Sequence, residues 1–153
     1  MLHRFPDDRI HRRLIDSVYL EAMLLADEAR SYFDEVGRLE REMLSPMTRV
    51  SFSCESLKVT TRLMHVIAWL LTQRAVIAGE LSPAQALEPS RRLGEAPGTD
   101  AHVADDMPRQ AQRMIAASID LHRRVARLDA AQECGAPNLS PARVMLDRLA
   151  TAF

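Results

Sequence analysis

The sequence predicts an all-α chain: an antiparallel three-helix bundle with a short extra helix in the second connection and a short C-terminal amphipathic segment. Three observations lead there. Apolar residues recur at helical spacing through three long stretches, and no run alternates with a period of two. Only 5 glycines and 8 prolines interrupt 153 residues, too few for a many-stranded sheet. Most of those that occur stand where a helix would begin or end.

The first helix is expected from Asp8 to Val36, capped by Asp7 or Asp8. Leu14, Val18, Ala22, Leu25, Ala29, Tyr32 and Val36 form its inward stripe, widened by Ile15, Ala26 and Phe33, and Gly37 stops it in the C′ role. A charged connector, Gly37–Met47, follows and contains Ser45-Pro46. The second helix is the longest, from Pro46 or Thr48 to Ala78, with Gly79 as its stop. Val59, Leu63, Met64, Val66, Ile67, Leu70, Leu71 and Ile77 cover about 160° of its circumference. A helix that apolar must be touched from more than one side, which makes it the central element.

Ser82-Pro83-Ala84-Gln85 is a capping box with proline at N1 and opens a short helix. Gly94–Thr99 reads as a flexible loop. The third long helix is expected from Asp106 to Cys134, closed by Gly135, with Met107, Ala111, Met114, Ile115, Ser118, Leu121, Val125 and Leu128 facing inward. A second start signal, Ser140-Pro141, precedes Val144, Leu146, Leu149 and Phe153, a piece too short to be a stable helix alone. The division is therefore a bundle domain over 1–135 and a tail over 136–153. The expected core includes Leu25, Phe33, Leu63, Ile67, Leu70, Ile115 and Val125.

Twenty basic and 21 acidic residues leave a formal net charge of −1, without the footprint of a sequence-independent nucleic-acid binder. The N-terminal run MLHRFPDDRIHRR lacks the apolar stretch of a secretory signal, and the longest apolar run, Val66–Leu71, is far short of a membrane span. A cytoplasmic, membrane-free protein is expected. Cys54 and Cys134 are then expected as small buried hydrophobes in a reducing compartment, not as a disulfide.

No phosphate loop, nucleophile elbow or HExxH motif occurs, and the five histidines are scattered. His11 and His122 fall on apolar faces, where a satisfied structural histidine is the expectation. No Glu-x-x-His copy supplies a carboxylate-bridged metal site. The expectation is no catalytic residue, no cofactor and no metal. Arg109, Arg113, Arg123, Arg124 and Arg127 on the third helix leave one alternative open, a DNA- or transcription-associated helical protein.

Residues that break the amphipathic pattern mark contact surfaces instead. Trp69 falls with Lys58, Arg62, His65 and Gln73 on the more polar side of the second helix, and is either a binding hot spot or covered by a neighbouring helix. Leu20, Met23 and Leu24 cluster on the first helix away from its main stripe. With Arg62 and Trp69 they are the candidate partner or dimer contacts. Arg74, amid the apolar arc, is expected to pair with a carboxylate of a neighbouring helix.

The run Ser51–Val76, followed by Ala78–Ser82, resembles an alphaproteobacterial family whose best-known member is the regulator of CtrA degradation, RcdA. Glu55-Ser56-Leu57, Thr60-Thr61-Arg62-Leu63-Met64, Trp69-Leu70-Leu71 and Gln73-Arg74-Ala75-Val76 carry the likeness, with Ser31–Asp34 and Arg124–Asp129 fitting too. The resemblance implies a dimeric, non-enzymatic three-helix bundle. It further implies an adaptor for regulated proteolysis in cell-cycle control, with a ClpXP co-adaptor or its substrate among the partners. The apolar stretch Val144–Phe153 stands where that member has a flexible tail.

Overall fold

A computed structural model describes residues 6–135 of the chain. Six helices and no strand are found among them: α1 (Pro6–Asp34), α2 (Val36–Glu42), α3 (Pro46–Ile77), α4 (Pro83–Ala86), α5 (Ala101–Asp105) and α6 (Arg109–Gly135), with a 3₁₀ turn at Pro89–Arg91. α1 and α6 both pack along α3 and touch each other much less, so α3 is the central helix. The Ser140-Pro141 start signal and the segment after it lie outside the described residues.

The all-α three-helix bundle is as expected, but the direction of its last long helix is not. α1 runs antiparallel to α3, with Asp16 near Arg74 and Phe33 against Phe52. α6 runs parallel to α3: Arg62 meets Ser118, Trp69 meets Asp129 and Gln73 meets Gln132, the numbers rising together. A purely antiparallel bundle needs only short turns. Here the connection from Ala78 to Pro108 is long enough to travel back along α3 before α6 begins.

Local chemistry sets the element ends. Ser45 caps α3, its hydroxyl accepting from the Thr48 amide at 3.4 Å, with Pro46 at the first position. Gly79, at φ 78°, closes the helix in the left-handed region that favours glycine. The capping box at Ser82 and Gln85 forms as expected, but α4 lasts one turn. α5 and α6 are separate, because Pro108 pushes the residue before it away from helical geometry.

The first helix ends at Asp34 rather than Val36, and the expected connector is the helix α2. The break falls at Glu35, at φ −112° and ψ −92°. Gly37 sits inside α2 and does not stop a helix. It is required for space: a Cβ there would lie 2.8 Å from the Tyr32 carbonyl oxygen and 3.2 Å from the Tyr32 ring. Tyr32 is buried and its hydroxyl donates to Glu40 Oε2 at 2.5 Å, which ties α2 back onto α1. Burial, and then that carboxylate, push its ionisation well above the ordinary phenol range.

Leu63, Leu70, Ile115 and Val125 are core residues as expected, with Leu25, Phe33 and Ile67 partly buried against them. Val36, Met64 and Leu71 are exposed. Cys54 is exposed as well, on the side of α3 opposite the core, while the Cys134 side chain lies outside those described. Truncating Leu63 to Ala is expected to cost about 2–5 kcal/mol in urea unfolding, the range for a buried aliphatic side chain. Gly37→Ala should lose about 1–3 kcal/mol by overpacking against Tyr32. Gly98→Ala, with open space around the added methyl, should be neutral or mildly stabilising in the same experiment.

Candidate interaction surfaces

The returning connection lies in the groove between α3 and α6, and polar side chains of both helices hold it there. Arg92 Nε and Nη2 donate to the two Asp129 carboxylate oxygens at 2.8 and 3.1 Å, and Nη1 donates to Glu133 at 2.5 Å. These bonds raise the Arg92 pKa, Asp129 contributing most. Trp69 Nε1 donates to the same Asp129 Oδ1 at 2.8 Å. Next, the Gly94 carbonyl meets His122 Nε2 at 2.9 Å, over the His65 ring. A Cβ at residue 94 would stand 2.7 Å from His65 Nδ1, so glycine alone lets the strand of chain pass. Arg62 then donates to the Pro97 carbonyl at 2.8 Å, to Thr99 Oγ1 at 2.7 Å and to Ser118 Oγ at 3.2 Å. Thr99 passes the bond on, donating to Glu55 Oε2 at 2.6 Å, and Lys58 meets the other oxygen of Glu55 at 2.8 Å.

Two expected contact residues therefore belong to the interior. Trp69 is 2% exposed and Arg62 is 1% exposed. Trp69 is covered by the neighbouring helix, the second of its two readings: Arg62, Trp69 and Gln73 are buried on α3 and bond Ser118, Asp129 and Gln132 of α6. Burial draws the Arg62 pKa below its ordinary value, and the Glu55 charge opposes that shift. The guanidinium remains a cation. Gly94–Thr99 is an irregular but anchored segment, not a free loop. Sequence reasoning missed this because the anchoring partners lie 28 to 44 residues away.

Leu20, Met23 and Leu24 are exposed on α1. Leu20 and Leu24 rim a groove of about 420 Å³ between α1 and α6, lined also by Ser17, Leu25 and Ala117. Its charged rim is mostly acidic: Glu21, Glu28 and Asp120. The one basic group there, Arg124, already bridges Glu21 and Asp120, which raises its pKa. Arg109, Arg113, Arg123 and Arg127 are exposed, while Arg124 is turned toward α1. Arg74 pairs with Asp16 at 3.8 Å and lies over the Tyr19 ring at 4.4 Å, as the sequence implied. His11 is exposed, and among the described residues no cluster of three or more His, Cys, Asp or Glu could hold a metal. No helix there is long and apolar enough to cross a membrane.

A further surface escaped the sequence reading. Val50, Leu57, Met64 and Leu71 lie seven residues apart on the outer side of α3 and are 62, 67, 64 and 48% exposed. Each falls in a helix whose overall apolarity hid the distinction between its two sides.

A family model described as "Protein of unknown function (DUF1465)" matches residues 7–153. The chain belongs to this family. Among solved structures, this DUF1465 protein is similar to RcdA from Caulobacter crescentus CB15, with 34% sequence identity and a TM-score of 0.64. The match covers 78% of this chain and 90% of that one. The resemblance read from Glu55 to Val76 thus extends to the fold. No curated protein matches the sequence.

Trp69→Glu should unfold the domain or cost about 3–5 kcal/mol, since it removes a buried ring and sets a carboxylate beside Asp129. Trp69→Phe should cost less, because Asp129 keeps its Arg92 bonds. Thermal melts followed by circular dichroism check both.

Proposed function

We propose that this protein is a non-enzymatic, homodimeric adaptor that brings regulated proteins to a ClpXP-type protease, the role implied by its likeness to RcdA. The observation that supports this reading is the apolar ridge of Leu20 and Leu24 beside an acidic-rimmed groove between α1 and α6. Such a surface suits an amphipathic segment with apolar anchors and basic flanks. Glu55, Arg62 and Asp129 bond residues of the connection, and Trp69 bonds Asp129 on α6. They leave no acid–base pair directed at a cleft.

In a cytoplasmic extract, tagged wild-type protein should capture a protease component, a co-adaptor or a degraded substrate identifiable by mass spectrometry. A Leu20→Glu/Leu24→Glu double variant should lose capture at least tenfold while its helical circular-dichroism signal is unchanged. Capture that survives this change places the partner surface elsewhere. Salt-sensitive retention on DNA that is lost on replacing Arg109, Arg113, Arg123 and Arg127 is the outcome that favours nucleic-acid binding instead.

A further inference from the structure

Arg38 and Arg41 stand one turn apart on α2, with about 5–6 Å between Cβ atoms, and line one cleft of about 450 Å³ where α1, α2 and α3 meet. α2 is fastened over that cleft: Tyr32 donates to Glu40, and Gly37 lets the helix close onto the Tyr32 ring. The same bond occupies the carboxylate that lies between the two arginines in sequence. Asp34 and Glu42 stand four residues to either side of Arg38, the spacing of an ion pair in one continuous helix, but the break at Glu35 parts Asp34 from α2. Among the described residues neither arginine makes an ion pair. By contrast Arg62, Arg74, Arg92 and Arg124, which lie where elements of the bundle meet, all hold acceptors or carboxylates.

The α3 wall of the cleft adds further donors. The hydroxyls of Thr60, Thr61 and Thr72 are spent on the carbonyls of Ser56, Leu57 and Ala68, four residues back on α3. Those of Ser53 and Ser56 make no such bond and line the cleft half-buried. Phe33 and Phe52, in edge contact at 5.6 Å, supply an apolar wall beside them. Asp34 is the one carboxylate of the lining. Two segments that carry the family likeness, Ser31–Asp34 and Glu55–Leu57, meet here, and the side chains of Asp34 and Ser56 do no work in holding the bundle together.

The geometry points to a nucleoside monophosphate as the ligand of this cleft. Two guanidinium forks and two hydroxyls match the oxygens of a phosphate monoester, which accepts bidentate bonds from arginine. The volume is several times that of a bare phosphate ion and lies in the range of small-molecule sites. Phe33 and Phe52 offer the remaining space a surface for a flat ring. Asp34 repels an anion but accepts from ribose hydroxyls or an exocyclic amine, so the ligand needs a donor-bearing body as well as a charged head. The inference goes beyond the adaptor reading and does not depend on it, since this cleft shares no lining residue with the groove of Leu20 and Leu24.

Calorimetric titration of the full chain tests this. Adenosine and guanosine 5′-monophosphate should bind with a Kd on the order of 10–100 μM. Inorganic phosphate and unphosphorylated adenosine should each bind at least tenfold more weakly. Arg38→Ala/Arg41→Ala should weaken nucleotide binding at least tenfold while the circular-dichroism melt is unchanged, because both side chains are exposed. Arg38→Lys/Arg41→Lys should fall between, keeping the charge and losing the forks. Asp34→Asn should weaken the nucleotides but not inorganic phosphate. Arg109→Ala/Arg113→Ala and Leu20→Glu/Leu24→Glu should bind as the wild type does. No binding at millimolar nucleotide, or binding undiminished in Arg38→Ala/Arg41→Ala, overturns the site. Inorganic phosphate that binds as tightly as the nucleotides overturns the choice of ligand, leaving a bare anion contact. A phosphoserine peptide that binds more tightly than either nucleotide overturns it in favour of a partner's phosphorylated side chain. None of these outcomes bears on capture through Leu20 and Leu24.

Discussion

The Arg62 guanidinium is a permanent cation at the centre of the bundle, and the path of the chain depends on how it is satisfied. A buried charge is tolerable only when its donors all find acceptors and an opposite charge stands nearby. Ser118 on α6 and the hydroxyl of Thr99 supply acceptors, and Thr99 relays to the Glu55 carboxylate. The Pro97 carbonyl is a third acceptor, and it can act as one only if the connection passes directly over α3. The parallel placement of α6 follows, since a chain that has returned along the bundle must start its next helix from the far end.

Trp69, Asp129 and Arg92 make a second clamp on the same groove, and Gly94 over His65 and His122 lies between the two. The residues by which the family is recognised are largely these: Glu55, Arg62, Trp69, Gln73 and Asp129 are all buried. The signature therefore describes how α3 is fastened to α6 and to the connection. That is consistent with a likeness to RcdA that extends to the fold.

The outer faces of α1 and α3 differ in kind. The α1 surface mixes exposed leucines with an acidic rim of Glu21, Glu28 and Asp120. The α3 surface is an exposed apolar line of Val50, Leu57, Met64 and Leu71.

The helices, most of their starts and stops, and most of the inward residues were legible from the sequence alone, because capping and 3.6-residue periodicity are local. Ser45, Gly79 and the Ser82–Gln85 box behave as their residue types require. So does Arg74, which finds its carboxylate on α1. Gly37 was read as a stop because a helix-ending glycine and a glycine under a tyrosine ring are the same letter. The direction of α6, the burial of Trp69 and Arg62 and the exposure of Met64 and Leu71 belong to the tertiary structure. On a helix with apolar residues both inside and outside its main arc, the sequence cannot say which side meets the core. That choice is made by hydrogen bonds between groups 35 to 60 residues apart, from Arg62 to Pro97 and from Trp69 to Asp129, and no local pattern encodes them.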